Sequence, residues 1–154
     1  MASTKWETLK DLRQRNVDNA QALLLETEKR KQEAVQSLNQ VLIYIKEYRE
    51  KIKAEEKGTA SAANLSRSRR FLQQLINTSV QQENLCIKLS HQADQDQAEL
   101  MRRRADLKAI EKLDEKDKRV ERQNTTKREA KDLDELSRSR FLGNLHHRDG
   151  ASKI

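Results

Sequence analysis

The chain has 154 residues, of which 37% are charged, 34% hydrophobic and 3% aromatic, with no proline and three glycines. That balance excludes a large globular core and leaves either disorder or long helices that each bury a narrow stripe. The formal net charge of +7 and pI near 9.6 make anionic partners, nucleic acid among them, a class to be weighed.

In chain order, Thr4 followed by Glu7 has the spacing of a capping box and predicts a first helix from near Lys5. Apolar or small residues then recur at alternating steps of three and four from Val17 through Ala20, Leu24, Thr27, Ala34, Leu38, Val41, Ile45 and Tyr48 to Ile52, interrupted by Lys31. A repeat averaging 3.5 residues keeps one line against a partner helix only if both supercoil, so this stripe predicts a coiled coil. Gly58 is placed to end the helix at Lys57 through a left-handed residue, and the small polar run to Asn64 reads as a turn.

The second helix carries its own seam, with Leu72, Leu75, Ser79, Gln82, Cys86, Leu89, Ala93, Leu100, Leu107 and Ile110 at three-four spacing and Asp96 and Arg103 intruding. Folding the chain back near residue 60 predicts facing residues whose numbers add to about 120, and under that rule the two seams coincide. Tyr48 then meets Leu72, Ile45 meets Leu75, Ala34 meets Cys86 and Ala20 meets Leu100. The poorer layers set Leu38 against Gln82, Leu24 against Asp96 and Val17 against Arg103, so apolar contact is expected to weaken away from the turn.

The predicted fold is therefore all-α, two long helices forming an antiparallel coiled-coil hairpin, monomeric when free. Residues 1–142 form one hairpin, with helix one over about 5–57, the turn over about 58–62 and helix two over about 63–142. Residues 143–154 are expected to be a flexible tail. At about 1.5 Å per residue the helices would span about 80 and 120 Å, leaving the second with an overhang beyond Arg119 that still carries Val120, Ala130, Leu133 and Leu136.

Little in the chain supports catalysis. Glycines at 58, 143 and 150 cannot write a phosphate-cradling loop, so the chain is not expected to hydrolyse ATP itself. His146 and His147 are adjacent and diverge on a helix, His91 lies among polar residues, and Cys86 falls on the apolar stripe as a small buried hydrophobe. No metal, cofactor or catalytic set is expected, and carboxylates alternating with lysines and arginines read as solvated helix faces. The densest basic spots, Arg102, Arg103 and Arg104 with Arg67, Arg69 and Arg70, are interleaved with acids and lack aromatic platforms, so nucleic acid is not expected as a partner. The second reading is a basic coiled-coil protein that binds nucleic acid or serves as a structural dimer. A cytosolic protein is expected from the lone cysteine and the absence of an apolar run of signal-peptide or membrane-spanning length.

A better functional signal is apolar residues off the seam. Leu42 and Ile43 on helix one and Ile76, Val80 and Ile87 on helix two are expected to face water near the turn, where a cluster would form a docking surface.

Several segments resemble the FliJ proteins of the flagellar type III export apparatus, relatives of the YscO-like proteins of virulence secretion. They are the run Glu7-Thr8-Leu9-Lys10-Asp11-Leu12 with Val17-Asp18 and the stretch Ala20 to Leu24, the set Leu38, Val41, Tyr44, Glu47, Tyr48 and Arg49, the trio Phe71, Leu72 and Leu75, and Leu133-Asp134-Glu135-Leu136. The resemblance covers residues 5 to 142, and its N-terminal segment favours the flagellar branch. It implies a stalk-like hairpin in the centre of a hexameric export ATPase (FliI-like), linked to the export gate membrane protein (FlhA-like) and handling export chaperones. Such a protein is cytoplasmic, peripheral at the inner membrane, and required for flagellum assembly, motility and chemotaxis. Carried over by position, Phe71 and Leu75 would contact the gate protein, with Ser79 where relatives have a small apolar residue. The overhang to Arg140, with Arg119, Arg122, Arg128, Leu133, Asp134, Glu135 and Leu136, would enter the ATPase ring together with the N-terminal end of helix one.

Overall fold

A computed structural model describes residues 3–151 of the chain. Among them are two α-helices and no strand, α1 over Ser3–Lys57 and α2 over Ala62–Ala151, and they pack against each other as the predicted antiparallel hairpin, the second helix longer than the first. Without proline, and with Gln, Glu, Lys, Arg, Leu and Ala filling the positions between seam residues, nothing breaks either helix.

The helix ends differ from expectation in three places. α1 begins at Ser3, so Thr4 lies within it, and the Thr4 side chain proposed as a cap falls outside the described residues. At the other end no glycine among the described residues has a positive φ, so Gly58 does not provide a left-handed stop. Its N–H instead donates to the Glu55 carbonyl at 3.3 Å, a bond three residues back that tightens the final turn and uses one of the orphan carbonyls. Ser61 then caps α2, its Oγ accepting the Asn64 N–H at 3.2 Å.

The third difference is at Gly143. The helix predicted to stop at 142 continues through it to Ala151. A lone glycine costs about 1 kcal/mol in a helix, too little to stop one whose neighbours form helix readily. Its position is also uncrowded, since nothing lies within 4 Å of where a Cβ would be.

The chain divides into two compact units, Arg13–Ala105, and Met1–Leu12 with Asp106–Ile154. In the first, every predicted seam residue of α1 from Val17 to Ile52 and of α2 from Leu72 to Leu100 is buried or half-buried. Both members of the predicted pair Ala20 with Leu100 are buried, as are Thr27 and Ala93, and Ile52 and Ser68, which the same rule sets opposite each other. Three contacts across the helices follow that register: the rings of Tyr48 and Phe71, 4.7 Å apart and tilted by 47°, Gln82 Nε2 donating to the Ala34 carbonyl at 3.4 Å, and Arg69 paired with Glu56 at 2.8 Å. Small side chains dominate the buried set. Few layers reach the ~1.5–3 kcal/mol that a fully buried Ile or Leu contributes.

The layers expected to be poor are hydrogen-bonded. Buried Asp96 accepts from Thr27 Oγ1 at 2.6 Å and from Gln92 Nε2 at 3.0 Å. Arg103 donates to the Asn16 carbonyl at 2.9 Å and to Glu99 Oε1 at 2.8 Å, while Val17 stays buried. Arg102 and Arg103 together hold the Glu99 carboxyl below its usual range, the hydrogen bond from Arg103 being the largest cause.

In the second unit the helices meet through polar side chains. Lys10 pairs with Asp114, which is only 3% exposed, and Lys118 Nζ approaches the same carboxylate oxygen at 3.2 Å. Trp6 Nε1 donates to Asp117 Oδ2 at 2.6 Å. Hydrogen bonding from Lys10 chiefly, then Lys118, holds the Asp114 carboxyl low, and the same bond raises the Lys10 ammonium. From residue 115 to 148 every position of α2 is exposed.

Candidate functional site

Three surfaces of the hairpin offer chemistry to a partner, and each is set by helical periodicity. A residue that precedes or follows a seam position lies about 100° from it, beside the helix pair, whereas one two positions away points outward.

The first surface surrounds Phe71, which precedes seam residue Leu72. Phe71 is 42% exposed, and its ring packs against that of Tyr48. Leu75 and Ser79, expected beside it, are half-buried seam residues, and the Ser79 hydroxyl is turned back onto its own helix, donating to the Ile76 carbonyl at 2.6 Å. Of the trio, Phe71 alone presents an open face. Exposed Tyr44 and Leu85 also precede seam residues and belong to this side, though in the sequence Tyr44 stands out only through the family resemblance and Leu85 not at all. The signal was available, since each stands one position before Ile45 or Cys86.

The second surface uses residues that follow the seam. Leu42 and Val80 are about half exposed, at 48% and 52%, as is Ile87. Ile76 was expected to face water with them but is half-buried, because it borders seam residues Leu75 and Leu72. Ile43 is exposed but stands two positions after Val41, on the outer side of α1, and so lies apart from the other three.

The third surface is the unpaired stretch of α2. Arg119, Arg122, Arg128, Leu133, Asp134, Glu135 and Leu136 are all exposed on it. Backbone carbonyls along it accept from side chains one turn later, Arg122 Nε to Lys118, Thr125 Oγ1 to Glu121 and Thr126 Oγ1 to Arg122, so several polar groups are satisfied within the helix. The depressions here are open troughs on one helix, lined by such residues as Lys118, Glu121, Arg122 and Thr125, and a trough of that kind does not exclude water. Phe141 and Leu142, at the end of the predicted helix, and Leu145, where a tail is expected, add three exposed apolar side chains. Their periodicity was hidden in the sequence by Gly143 between them.

No group of three or more histidine, cysteine or carboxylate side chains among the described residues is arranged to hold a metal ion. No helix among them is long and apolar enough to cross a membrane. A family model described as the flagellar FliJ protein matches residues 3–146, nearly the whole chain. No curated protein and no solved structure gives a match.

Proposed function

Because this chain belongs to the flagellar FliJ family, components of flagellar type III protein export, we propose that it is a non-enzymatic coupling piece between the export ATPase and the export gate. The observation that carries this reading is the run of exposed helix from 119 to 148, a length of α2 for which α1 supplies no partner among the described residues. A charged helix with sparse apolar residues gains stability by docking, because its own propensity leaves it marginal.

In this reading Leu133 and Leu136 supply the apolar contact with the hexameric ATPase. Arg119, Arg122, Arg128, Asp134 and Glu135 set its register electrostatically, with the N-terminal turns of α1 alongside. Phe71, packed against Tyr48, is the main contact for the gate membrane protein, and Leu75 and Ser79 support it from the seam. Export chaperones are the third class of partner. The protein works in the cytoplasm at the membrane-bound apparatus, is monomeric when free, and is required for flagellum assembly and so for motility and chemotaxis.

Mixing the chain with its purified export ATPase tests the proposal. The expected result is raised ATP turnover and co-migration on a sizing column, both lost in a Leu133→Asp, Leu136→Asp variant and retained in Phe71→Ala. Unchanged turnover with no co-migration contradicts it.

A further inference from the structure

The seam residues of the turn-proximal hairpin define two sides. Both helices are right-handed and run antiparallel, so the residue following a seam position turns to the same side of the pair on each helix, and the residue preceding it turns to the other. Phe71, Tyr44 and Leu85 are on the preceding side. The following side is separate from them, and its composition is distinct.

On α1 the positions after the seam residues Ala34 to Ile52 are Val35, Asn39, Leu42, Lys46, Arg49 and Lys53. On α2 those after Ser68 to Cys86 are Arg69, Gln73, Ile76, Val80, Glu83 and Ile87. By the hairpin register, Leu42 stands level with the stretch between Ile76 and Val80, and Val35 stands close to Ile87. Five aliphatic side chains thus share this side in two groups, Leu42 with Ile76 and Val80 and Val35 with Ile87, separated by Asn39 and Glu83; four are exposed and Ile76 is half-buried. Lys46, Arg49 and Lys53 continue the α1 side toward the turn, all exposed and in no ion pair among the described residues. Arg69 is already engaged by Glu56, and Glu83 is the one acid in these twelve positions outside that pair.

We infer that this side docks an acidic amphipathic helix of another protein. Such a helix would lay leucine-like side chains along Val35, Leu42, Ile76, Val80 and Ile87, with carboxylates against Lys46, Arg49 and Lys53. The three-four spacing of these positions follows the same supercoil as the seam, so a third helix can track them over several turns as in a helix-in-groove contact. Charge complementarity selects the partner: three exposed cations on the same side as the aliphatic residues attract a carboxylate-rich helix and repel a basic one. They also disfavour a second copy of the same surface, and without aromatic platforms this side is unlike a single-stranded nucleic-acid site.

Fluorescence anisotropy of the full chain with a labelled three-heptad peptide, leucine at positions a and d and glutamate elsewhere, tests the inference. The expected result is saturable binding with a Kd of about 1–100 µM. Binding weakens by at least ~10-fold for the same peptide with lysine replacing glutamate, for Val80→Asp and for the Lys46→Glu, Arg49→Glu pair, while Phe71→Asp on the other side leaves it unchanged. Because Val80, Lys46 and Arg49 are exposed, circular dichroism of these variants is expected to match the parent chain. The inference is overturned by no saturation up to about 1 mM peptide, by equal binding of the two peptides, by loss in Phe71→Asp with retention in Val80→Asp, or by dimerisation of the parent chain that Val80→Asp abolishes.

Discussion

Within residues 13–105 the helices bury Val17, Ala20, Ala34, Ile45, Ile52, Ala93 and Leu100 along the seam, whereas in the unit of residues 1–12 and 106–154 they meet as Lys10 with Asp114 and Trp6 with Asp117. The first kind of contact removes apolar surface from water and is indifferent to salt and to pH over a wide range. The second depends on ionised partners, one of them well buried, and so on pH and ionic strength. One hairpin can therefore hold part of its length tightly while the rest responds to solution conditions. Burial and ion pairing end together, and α2 beyond that point is exposed.

The largest expected effect comes from truncating the apolar side of this comparison. Ile45→Ala should cost about 2–4 kcal/mol in urea unfolding, because Ile45 is buried in the seam. Leu133→Ala on exposed helix should stay within about 0.5 kcal/mol. Similar losses at the two positions would erase the distinction between paired and unpaired helix.

Next is the polar layer inside the apolar unit. Thr27→Val removes the hydroxyl that Asp96 uses while leaving the carboxylate buried, and should cost about 1–3 kcal/mol. Adding Asp96→Leu should recover most of that loss, since two apolar groups need no hydrogen bonds. A double variant no more stable than Thr27→Val would mean that this layer is not held by the Thr27–Asp96 bond.

The seam was legible in the sequence because hydrophobic periodicity reports burial, and every residue read onto it from Val17 to Ile52 is buried or half-buried. Asp96 and Arg103 were visible as intrusions, but their hydrogen bonds were not. A partner such as Thr27, or the carbonyl of Asn16, leaves no periodic trace. For the same reason the apolar seam ends at Ile110 in the sequence, although Asp114 and Asp117 continue the pairing through charge and an indole N–H. Gly58 and Gly143 were read as stops because glycine tolerates conformations that other residues avoid, yet neither has a positive φ here. At the candidate site, Phe71 was legible through family resemblance. The division into two sides required the register, and the Tyr48–Phe71 contact anchors it.

The polar clasp gives the third expected effect, and Trp6, the single tryptophan of the chain, reports it. Asp114→Asn should red-shift Trp6 emission, and high salt should do the same in the parent chain. The carboxylate contribution of Asp114 is present above about pH 4 and is lost as pH falls through its lowered folded value. The contribution of Lys10 is present below about pH 10 and is lost as pH rises through its raised value. Emission should therefore be flat between these limits and shift outside them; a midpoint near neutrality would contradict the assignment. The smallest effect is Gly143→Ala, expected to stabilise the helix locally by up to about 1 kcal/mol. It should appear as slower amide exchange over residues 140–148, and unchanged exchange there would count against a helix through Gly143.

The most direct test of the functional account is amide hydrogen exchange of the full chain with and without the purified ATPase hexamer. The account predicts slowed exchange over residues 119–140 and the first turns of α1, with residues 35–87 unchanged. Slowing confined to residues 35–87, with 119–140 exchanging as in the free chain, would contradict it.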